Sequence, residues 1–370
     1  MAVRALESMP IISSRFDLGA GPEESLRLSE SQQQVSQTVS EHLRSGRYRF
    51  EEYRCPCGTA AGDELIARID RYGLPLDSVV CLSCGTVRFN PYLDNGSVAD
   101  FYTRYYQQMY GRVGRPQDYF QRQIAYGHRI LEAVRESIRP GVSVFEVGCG
   151  AGGSLKVFQD LQCPVHGCDY SEELVTFGKT QGVPDLTVGA VEELALAVGE
   201  RKAELIFLHH VFEHLTDPAD FLAKVRRLLS PTGRVLIVIP DISQIDRYPY
   251  PGGNLRPFLH IGHKTNFTLA GLEALGAQLR LKVRVLRDVP LINPELWLEM
   301  SPTDETPTGA SPPVGAGMVR YLKKTERLHR LGLCRGQIRA RAIRFGQATG
   351  ALPRRLASKA WQMFRPAKKS

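Results

Sequence analysis

The chain has 370 residues, 43% of them apolar and 23% charged, which suits one large globular domain with appendages. It contains no run of eighteen apolar residues, and residues 1–14 lack the charged-then-apolar pattern of a secretory leader, so neither a transmembrane helix nor export is expected and a cytoplasmic location follows. The formal net charge of +8 is uneven: residues 318–370 hold 15 of the 47 Lys and Arg residues and one acid, Glu326, while the body before them is mildly acidic, has no basic stripe and suggests no specific nucleic-acid partner.

Residues 1–50 are polar and read as a flexible N-terminal segment, with one exposed helix over Ser29 to Arg44. Residues 51–95 form a cysteine-bearing module. Cys55-Pro-Cys57-Gly58 and Cys81-Leu-Ser-Cys84-Gly85 place two thiol pairs on glycine turns, which is how zinc ribbons build a tetrahedral site of four sulfurs. A structural Zn2+ on Cys55, Cys57, Cys81 and Cys84 is therefore expected, with unligated thiols as the alternative; a disulfide framework does not suit a cytosolic chain of this size. Residues 96–140 read as a helical connector, in which Phe120, Ile124, His128, Leu131 and Val134 recur at helical spacing.

Residues 141–301 alternate strand and helix patterns, the signature of a parallel sheet covered on both faces. The apolar run Val142 to Val147 carries Glu146 near its end and breaks into Gly148, Gly150 and Gly152, with a helix starting near Gly153. Glycines after a strand allow a sharp turn and close approach of a nucleotide-type ligand. The same glycines fit a dinucleotide fingerprint, with Asp169 where the ribose acid falls. Glu146 decides between the two: it would repel a pyrophosphate and attract the ammonium of S-adenosylmethionine. Val165 to Asp169 reads as the second strand, ending in a carboxylate for the ribose hydroxyls. Ala203 to Leu208 reads as the fourth strand and runs into His209-His-Val-Phe-Glu-His-Leu-Thr-Asp-Pro218. A helix, the turn Ser230-Pro-Thr-Gly233 and the strand Arg234 to Ile239 follow, closed by Pro240-Asp241.

This succession resembles the class I S-adenosylmethionine-dependent methyltransferases, in many of which the block runs H-V-L-E-H-L-x-D-P, helix, L-x-P-G-G, strand. Here Phe212 stands for the Leu and Thr232 for the first Gly. The resemblance covers about residues 120–300. It implies an α/β fold: a Rossmann-like, doubly wound, mainly parallel seven-stranded sheet, in which Leu281 to Leu286 and Glu295 to Met300 supply the last two strands and the final one inserts antiparallel. It further implies that Gly148, Cys149, Gly150 and Gly152 line the methionine and ribose portions of the cofactor. Glu146 contacts its amine or organises the loop, Asp169 holds the ribose, Tyr170 and the segment to Glu192 flank the adenine, and His209 borders the sulfonium. Asp70-Arg-Tyr-Gly, Cys81-x-x-Cys-Gly-x-Val-Arg-Phe-Asn-Pro91 and Phe101-Tyr-x-x-x-Tyr105 are similar to the zinc-binding module of certain sugar C-methyltransferases and polysaccharide-cluster enzymes. In those proteins the module abuts the active site, so Tyr102, Tyr105 and Tyr106 either cover the substrate or pack the junction.

Histidines suit proton removal near neutrality. His214 is one candidate base, its alternative role being to fix its loop, and His263 is the second. Lys264 and Thr265 replace the Glu and second His of the sugar enzymes' H-E-H stretch, and His260 reads as a surface residue. The long insert from Asp241 to Leu259 reads either as a substrate loop in which Arg247, Tyr248 and Arg256 meet an anionic or glycosyl group, or as a solvated loop. Residues 302–317 read as a linker, and 318–370 as a basic helical tail that either contacts anionic membrane as a separable arm or stays solvated. The expected activity is methyl transfer to a small-molecule or glycan acceptor, favouring a nucleotide-linked or lipid-linked saccharide. Another secondary-metabolite acceptor, or cofactor binding without turnover, are the alternatives.

Overall fold

The computed structural model describes residues 11–23, 26–110, 115–248, 253–286, 294–304, 313–335 and 337–338. Helix α1 (Glu30–Ser45) starts on a capping box between Ser29 and Gln32 and stops where Gly46 turns left-handed. It is not an exposed helix on a flexible segment. Val35, Val39 and Leu43 line one face and are buried, as is Phe16 before it, in a core shared with the cysteine module. Polar composition hid the apolar stripe, which needs only one residue per turn.

In the module, β1 (Phe50–Glu51) pairs with β5 (Tyr92–Leu93), and β2 (Asp63–Ile69), β3 (Pro75–Cys81) and β4 (Val87–Phe89) form an antiparallel sheet. Helix α2 (Asn95–Phe101), capped by Asp94, passes through a π-helical turn, Tyr102–Tyr106, into α3 (Gln107–Tyr110). The wider turn stacks Tyr102, Tyr106 and Tyr110 on one face, with ring centroids 4.6 and 4.4 Å apart. Helix α4 (Pro116–Val134) leads into the main sheet.

That sheet contains β6 (Val144–Val147), β7 (Val165–Asp169), β8 (Leu186–Val188), β9 (Ala203–His209) and β10 (Leu229–Pro240). Between them run α5 (Gly153–Gln159), α6 (Glu172–Thr180), α7 (Val191–Val198) and α8 (Pro218–Leu228). The insert after β10 returns through β11 (Thr265–Asn266), which pairs with β4 and completes the module's sheet, and continues into α9 (Leu269–Gln278). Strands β12 (Leu281–Val285) and β13 (Glu295–Pro302) close the main sheet, whose order is β12-β13-β10-β9-β6-β7-β8. β13 runs antiparallel to both neighbours, and the pairs from β10 through β9, β6 and β7 to β8 are parallel.

Alternate residues of each strand feed two cores. Phe145, Ile206, Leu208 and Ile237 pack under α7, α8 and α9, whereas Val144, Leu205, Phe207 and Leu236 pack under α4, α5 and α6. The strand order reverses at β6, with β7 on one side and β9 on the other. The crevice beyond their carboxyl ends is where such sheets take ligands.

Helix α10 (Gly315–Arg330) takes the first part of the expected basic arm, residues 318–330, out of that arm and docks it on the cysteine module. Val314 and Gly315 donate their amides to the Ser83 and Leu82 carbonyls, and a Cβ on Gly315 would fall 2.3 Å from the Cys81 carbonyl oxygen. Val319 and Leu322 enter the module's core, and Glu326 is 3% exposed against Arg15. Val319 and Leu322 thus form a docking face toward the module. Trp361, Phe364 and the rest of the basic tail beyond 338 lie outside the described residues. Among the described residues no helix is long and apolar enough to cross a membrane.

Candidate active site

The glycine turn after β6 is held from outside by a residue that the sequence reading passed over. Gln123, buried on α4, donates from Nε2 to the Cys149 carbonyl (2.6 Å) and accepts on Oε1 from the Ala151 amide (3.1 Å). Its signal was a polar residue on the buried face of α4, in register with Phe120, Gly127 and Ile130. Gly150 adopts φ +53°, and a Cβ there would lie 2.6 Å from the Tyr119 ring and 2.8 Å from Gln123 Nε2. Its amide donates to Asp169 Oδ2 (2.8 Å) and the Ser171 amide to Oδ1 (2.9 Å), so two backbone bonds fix the carboxylate at the end of β7.

Glu146 sits beneath the turn, 2% exposed, and its Oε2 has no hydrogen-bond partner among the described residues. Burial, and then the charge of Asp169, raise its carboxyl well above the ordinary range. Gly148 and Gly152 take φ +74° beside the buried Cys149. Tyr170, next to Asp169, is 80% exposed. Glu192, in the first turn of α7, reaches across to Lys224 on α8 (2.6 Å), which turns its carboxylate toward a salt bridge.

Histidines gather where β9 ends and the insert returns. His209 stacks on Tyr126 of α4, ring centroids 4.2 Å apart, with Nε2 buried and lacking a protein partner among the described residues. Burial drives its pKa well below the usual value. His210, at φ +55°, bridges two carboxylates, Nδ1 to Glu213 (3.1 Å) and Nε2 to Glu295 (3.3 Å). Burial opposes its charge, but these two bonds outweigh it and hold the imidazolium up to about 9. Glu295 also receives Arg129 (2.9 Å) and the Trp297 indole (3.1 Å). Neither His210 nor Glu295 stood out in the sequence, because their pairing depends on β13 arriving beside β10.

His214, on a single 3₁₀ turn (Phe212–His214), donates from Nδ1 to the Gly262 carbonyl (2.7 Å). Tyr102 donates to the same oxygen (3.1 Å). His263 lies across from His214, ring centroids 4.5 Å apart, with its Nε2 3.9 Å from Glu213 Oε1. Its Nδ1 is buried without a partner among the described residues, and burial first, then neighbouring cationic groups, keep the ring neutral. Thus the two candidate bases come together, and Tyr102 and Tyr106 cover them. Tyr105 does not; it points to His42 of α1 (3.1 Å).

Three expectations fail here. His260 is not a surface residue: it is 2% exposed, hydrogen-bonded to Tyr110 and stacked on His263 at 3.6 Å. Arg256 does not await an anion; it is buried, and donates to the Gly21 (2.8 Å) and Asp70 (3.2 Å) carbonyls. Tyr248 is buried against the Pro294 carbonyl, leaving Arg247 exposed beside Gln244. The described parts of the insert carry their own apolar residues, Ile242, Ile245, Leu255 and Phe258, into the module's core, so the polar residues between them are pulled inward. Lys264 is likewise buried, its ammonium 3.8 Å from the Tyr53 ring centre and donating to the Thr216 carbonyl; burial lowers its pKa to about 8.

The four module cysteines are buried and their ligand atoms lie within 4.8 Å of one another. Cys55 and Cys84 sulfurs are 3.5 Å apart, and those of Cys57 and Cys81 are 3.7 Å apart. A tetrahedron with metal–sulfur bonds of about 2.3 Å separates its corners by about 3.8 Å, so the donor set fits zinc.

Residues 145–237 match the family described as Methyltransferase domain. Over 148 residues the sequence is 28% identical to 2-methyl-6-phytyl-1,4-hydroquinone methyltransferase of Synechocystis, covering 38% of this chain and 46% of that protein. Over 101 residues it is 29% identical to a ubiquinone biosynthesis O-methyltransferase of Caulobacter vibrioides, covering 26% of this chain and 40% of the other. A third relative, an uncharacterized 37.1 kDa protein in transposon TN4556 of Streptomyces fradiae, is 32% identical over 122 residues, 32% of this chain and 35% of that one. The chain thus spans between a third and a half of the length of these curated relatives. Among solved structures, the plantazolicin methyltransferase BpumL in complex with SAH is 14% identical, with a TM-score of 0.42 over 56% of this chain and 94% of that chain.

Proposed function

We propose that this chain transfers the methyl group of S-adenosylmethionine to a small-molecule acceptor, and that the acceptor is of glycan type, a nucleotide-linked or lipid-linked saccharide. The observation that carries the first part is the pairing of Asp169 with the Gly150 amide above the orphaned Glu146 oxygen. A buried carboxylate with an unfilled acceptor fits the cofactor's ammonium, and a carboxylate pinned by two amides fits its ribose hydroxyls. When bound, the cofactor supplies an electrophilic methyl group on a sulfonium. The chain's residues do the remainder. Gln123 keeps the glycine turn in shape, Asp169 and Glu146 hold the two polar ends of the cofactor, and His209 borders the space between. His214 and His263, facing each other under Tyr102 and Tyr106, handle the acceptor. The stacked tyrosines suit the apolar face of a sugar. They suit a flat phenolic ring equally, and the hydroquinone and ubiquinone methyltransferases among the relatives favour that second reading.

The cysteine module holds a structural zinc in this proposal, and residues beyond 338 touch anionic membrane from the cytoplasmic side. Titration calorimetry tests the cofactor: S-adenosylmethionine or its demethylated product should bind, and Asp169→Ala should weaken binding by about 1–3 kcal/mol. Tight binding of a nicotinamide dinucleotide, with neither sulfur ligand bound, would overturn the proposal.

A further inference from the structure

The outer side of α10 takes no part in the module's core. Val319, Leu322, Thr325 and Glu326 are buried on the inner side, whereas Arg320, Lys324, Arg327 and Arg330 are exposed and face away from it. Residues spaced by four, three and three positions lie in one helical stripe, about 120° wide at about 100° per residue, and Leu331 falls within it. The acids that meet this helix stay on its inner side. Glu326 holds Arg15 (3.0 Å), Glu64 holds Lys323 (2.9 Å), and Asp246 accepts from Tyr321 (2.8 Å) and lies 3.8 Å from Arg335. None of the four outer cations has an ion-pair partner among the described residues. Like charges at this spacing repel one another along a helix, so their accumulation suits a surface that neutralises them.

Where the stripe ends, apolar side chains come to the surface. Leu331, Leu333 and Ile338 are each more than half exposed, the densest run of exposed large apolar residues among the described ones. Cys334 between them is buried, its thiol donating to the Thr325 carbonyl, so the segment is anchored and its leucines are held outward. The sequence continues in the same sense, since residues 331–370 contain ten Lys and Arg and no acid. We infer that Arg320, Lys324, Arg327 and Arg330, with Leu331, Leu333 and Ile338, form a docking surface for a bilayer that carries anionic phospholipid. The cations meet the headgroups, and the leucines and isoleucine enter the boundary with the acyl chains. A nucleic acid would neutralise the cations but give the three apolar side chains nothing to enter, so lipid is the partner that both halves of the surface fit.

This inference rests on the membrane contact proposed above and moves it from the residues beyond 338 to a folded helix. The difference matters for orientation. Tyr321, on the inner side of α10, is hydrogen-bonded to Asp246 of the insert, the same segment that goes on to carry His260 and His263. A bilayer held on α10 therefore meets the acceptor side of the enzyme at a fixed attitude, which a contact made through a linker would not impose.

Sedimentation of the full chain with phosphatidylcholine vesicles, with and without phosphatidylglycerol, tests the surface. Binding should require the anionic lipid and weaken as salt rises. Each basic residue at such a surface changes binding about fivefold, so a variant carrying Arg320→Gln, Lys324→Gln, Arg327→Gln and Arg330→Gln should bind at least about a hundredfold more weakly. Leu331→Ser with Leu333→Ser should weaken binding at least about tenfold through lost apolar burial and leave its salt dependence unchanged. A control that removes the same charge from other exposed positions, Arg44→Gln, Arg47→Gln, Arg139→Gln and Lys179→Gln, should stay within about threefold of the unmodified chain, because distant charges are screened. Affinity for the demethylated cofactor should be the same in all of them. If the α10 variant binds vesicles as tightly as the unmodified chain, the contact lies beyond 338; the inference falls and the proposed membrane contact stands. Equal loss in the control would mean that net charge governs binding, and would also overturn it. A leucine variant with unchanged vesicle binding, in a chain whose α10 cations also bind duplex DNA, would make the face a nucleic-acid surface. No binding to anionic vesicles at low salt overturns this inference and the proposed membrane contact together.

Discussion

Arg15 forks onto Glu326, its Nη1 3.1 and 3.0 Å from the two carboxylate oxygens, and so ties the N-terminal segment to the last described helix. Its Nη2 reaches Glu23 (2.9 Å) and Asn254 of the insert (3.2 Å). One guanidinium therefore joins three distant stretches of chain. Removing it takes the cation away from a nearly buried carboxylate and leaves the Ser13 hydroxyl donating to it (3.0 Å). Arg15→Ala should cost about 2–3 kcal/mol in denaturant unfolding, less than the ~3–5 of a fully enclosed pair because Arg15 is 29% exposed. Truncation should follow the same map. A chain ending at 338 should keep its melting temperature and cofactor affinity, whereas one ending at 317 loses Val319, Leu322 and Glu326 and should melt several degrees lower. Equal melting of the two truncations would show that α10 is not part of the core.

Gln123 predicts a loop defect at a distance from any ligand. Gln123→Leu keeps the volume but strips the Cys149 carbonyl and Ala151 amide of their partners. Leaving buried backbone groups unsatisfied costs about 1–3 kcal/mol each. Both unfolding free energy and affinity for the demethylated cofactor should fall, by calorimetry and denaturation on the same sample. A variant that lost stability alone would mean that the glycine turn keeps its shape without the staple.

Glu146 should make cofactor binding depend on pH. Burial and then the Asp169 charge raise its pKa well above 4.5, so its proton is retained to higher pH than an exposed carboxyl's. A cation beside it favours the ionised form. Binding of S-adenosylmethionine should therefore release a proton, and affinity should climb as pH rises from about 4.5 until Glu146 ionises unaided. Calorimetry in two buffers of unlike ionisation heat measures the release directly. Glu146→Gln should abolish it; identical release in that variant would assign the proton elsewhere.

The cysteine cluster predicts about one zinc per chain by metal analysis. Cys81→Ser should lose that metal, and hydrogen exchange should then quicken across residues 51–95 more than in the main sheet. Wild-type protein without zinc and with unchanged stability would leave the four thiols as packing.

Some of this was open to reading and some was not, for physical reasons. The strand Val144–Val147, its three left-handed glycines and the acid ending β7 depend on short stretches of chain, where residue type and spacing set the backbone. The histidine group depends on the path of the insert. His260 and Arg256 lie in a polar stretch that looks solvent-bound until Ile242, Ile245 and Phe258 are seen to bury themselves in the module. Val319 and Leu322 recur at helical spacing in the sequence, but an amphipathic stripe states only that something covers it. Here the cover is the cysteine module and not lipid. Glu295 acquired its role from β13, whose antiparallel entry next to β10 sets Glu295 opposite Pro240.

The pairing of β11 with β4 has a consequence for synthesis. Asn266 and Thr265 sit opposite Val87 and Arg88, so the sheet of the first-made module takes its edge strand from a segment that follows most of the main sheet. A chain emerging from the ribosome cannot finish its amino-terminal unit first, as multidomain chains commonly do. That unit must wait, partly assembled and with β4 unpaired on one side, until β10 and the insert have been translated. The interval is when nascent chains are open to strand-to-strand misassembly with their neighbours, and early zinc capture by the two cysteine turns would shorten the list of wrong partners.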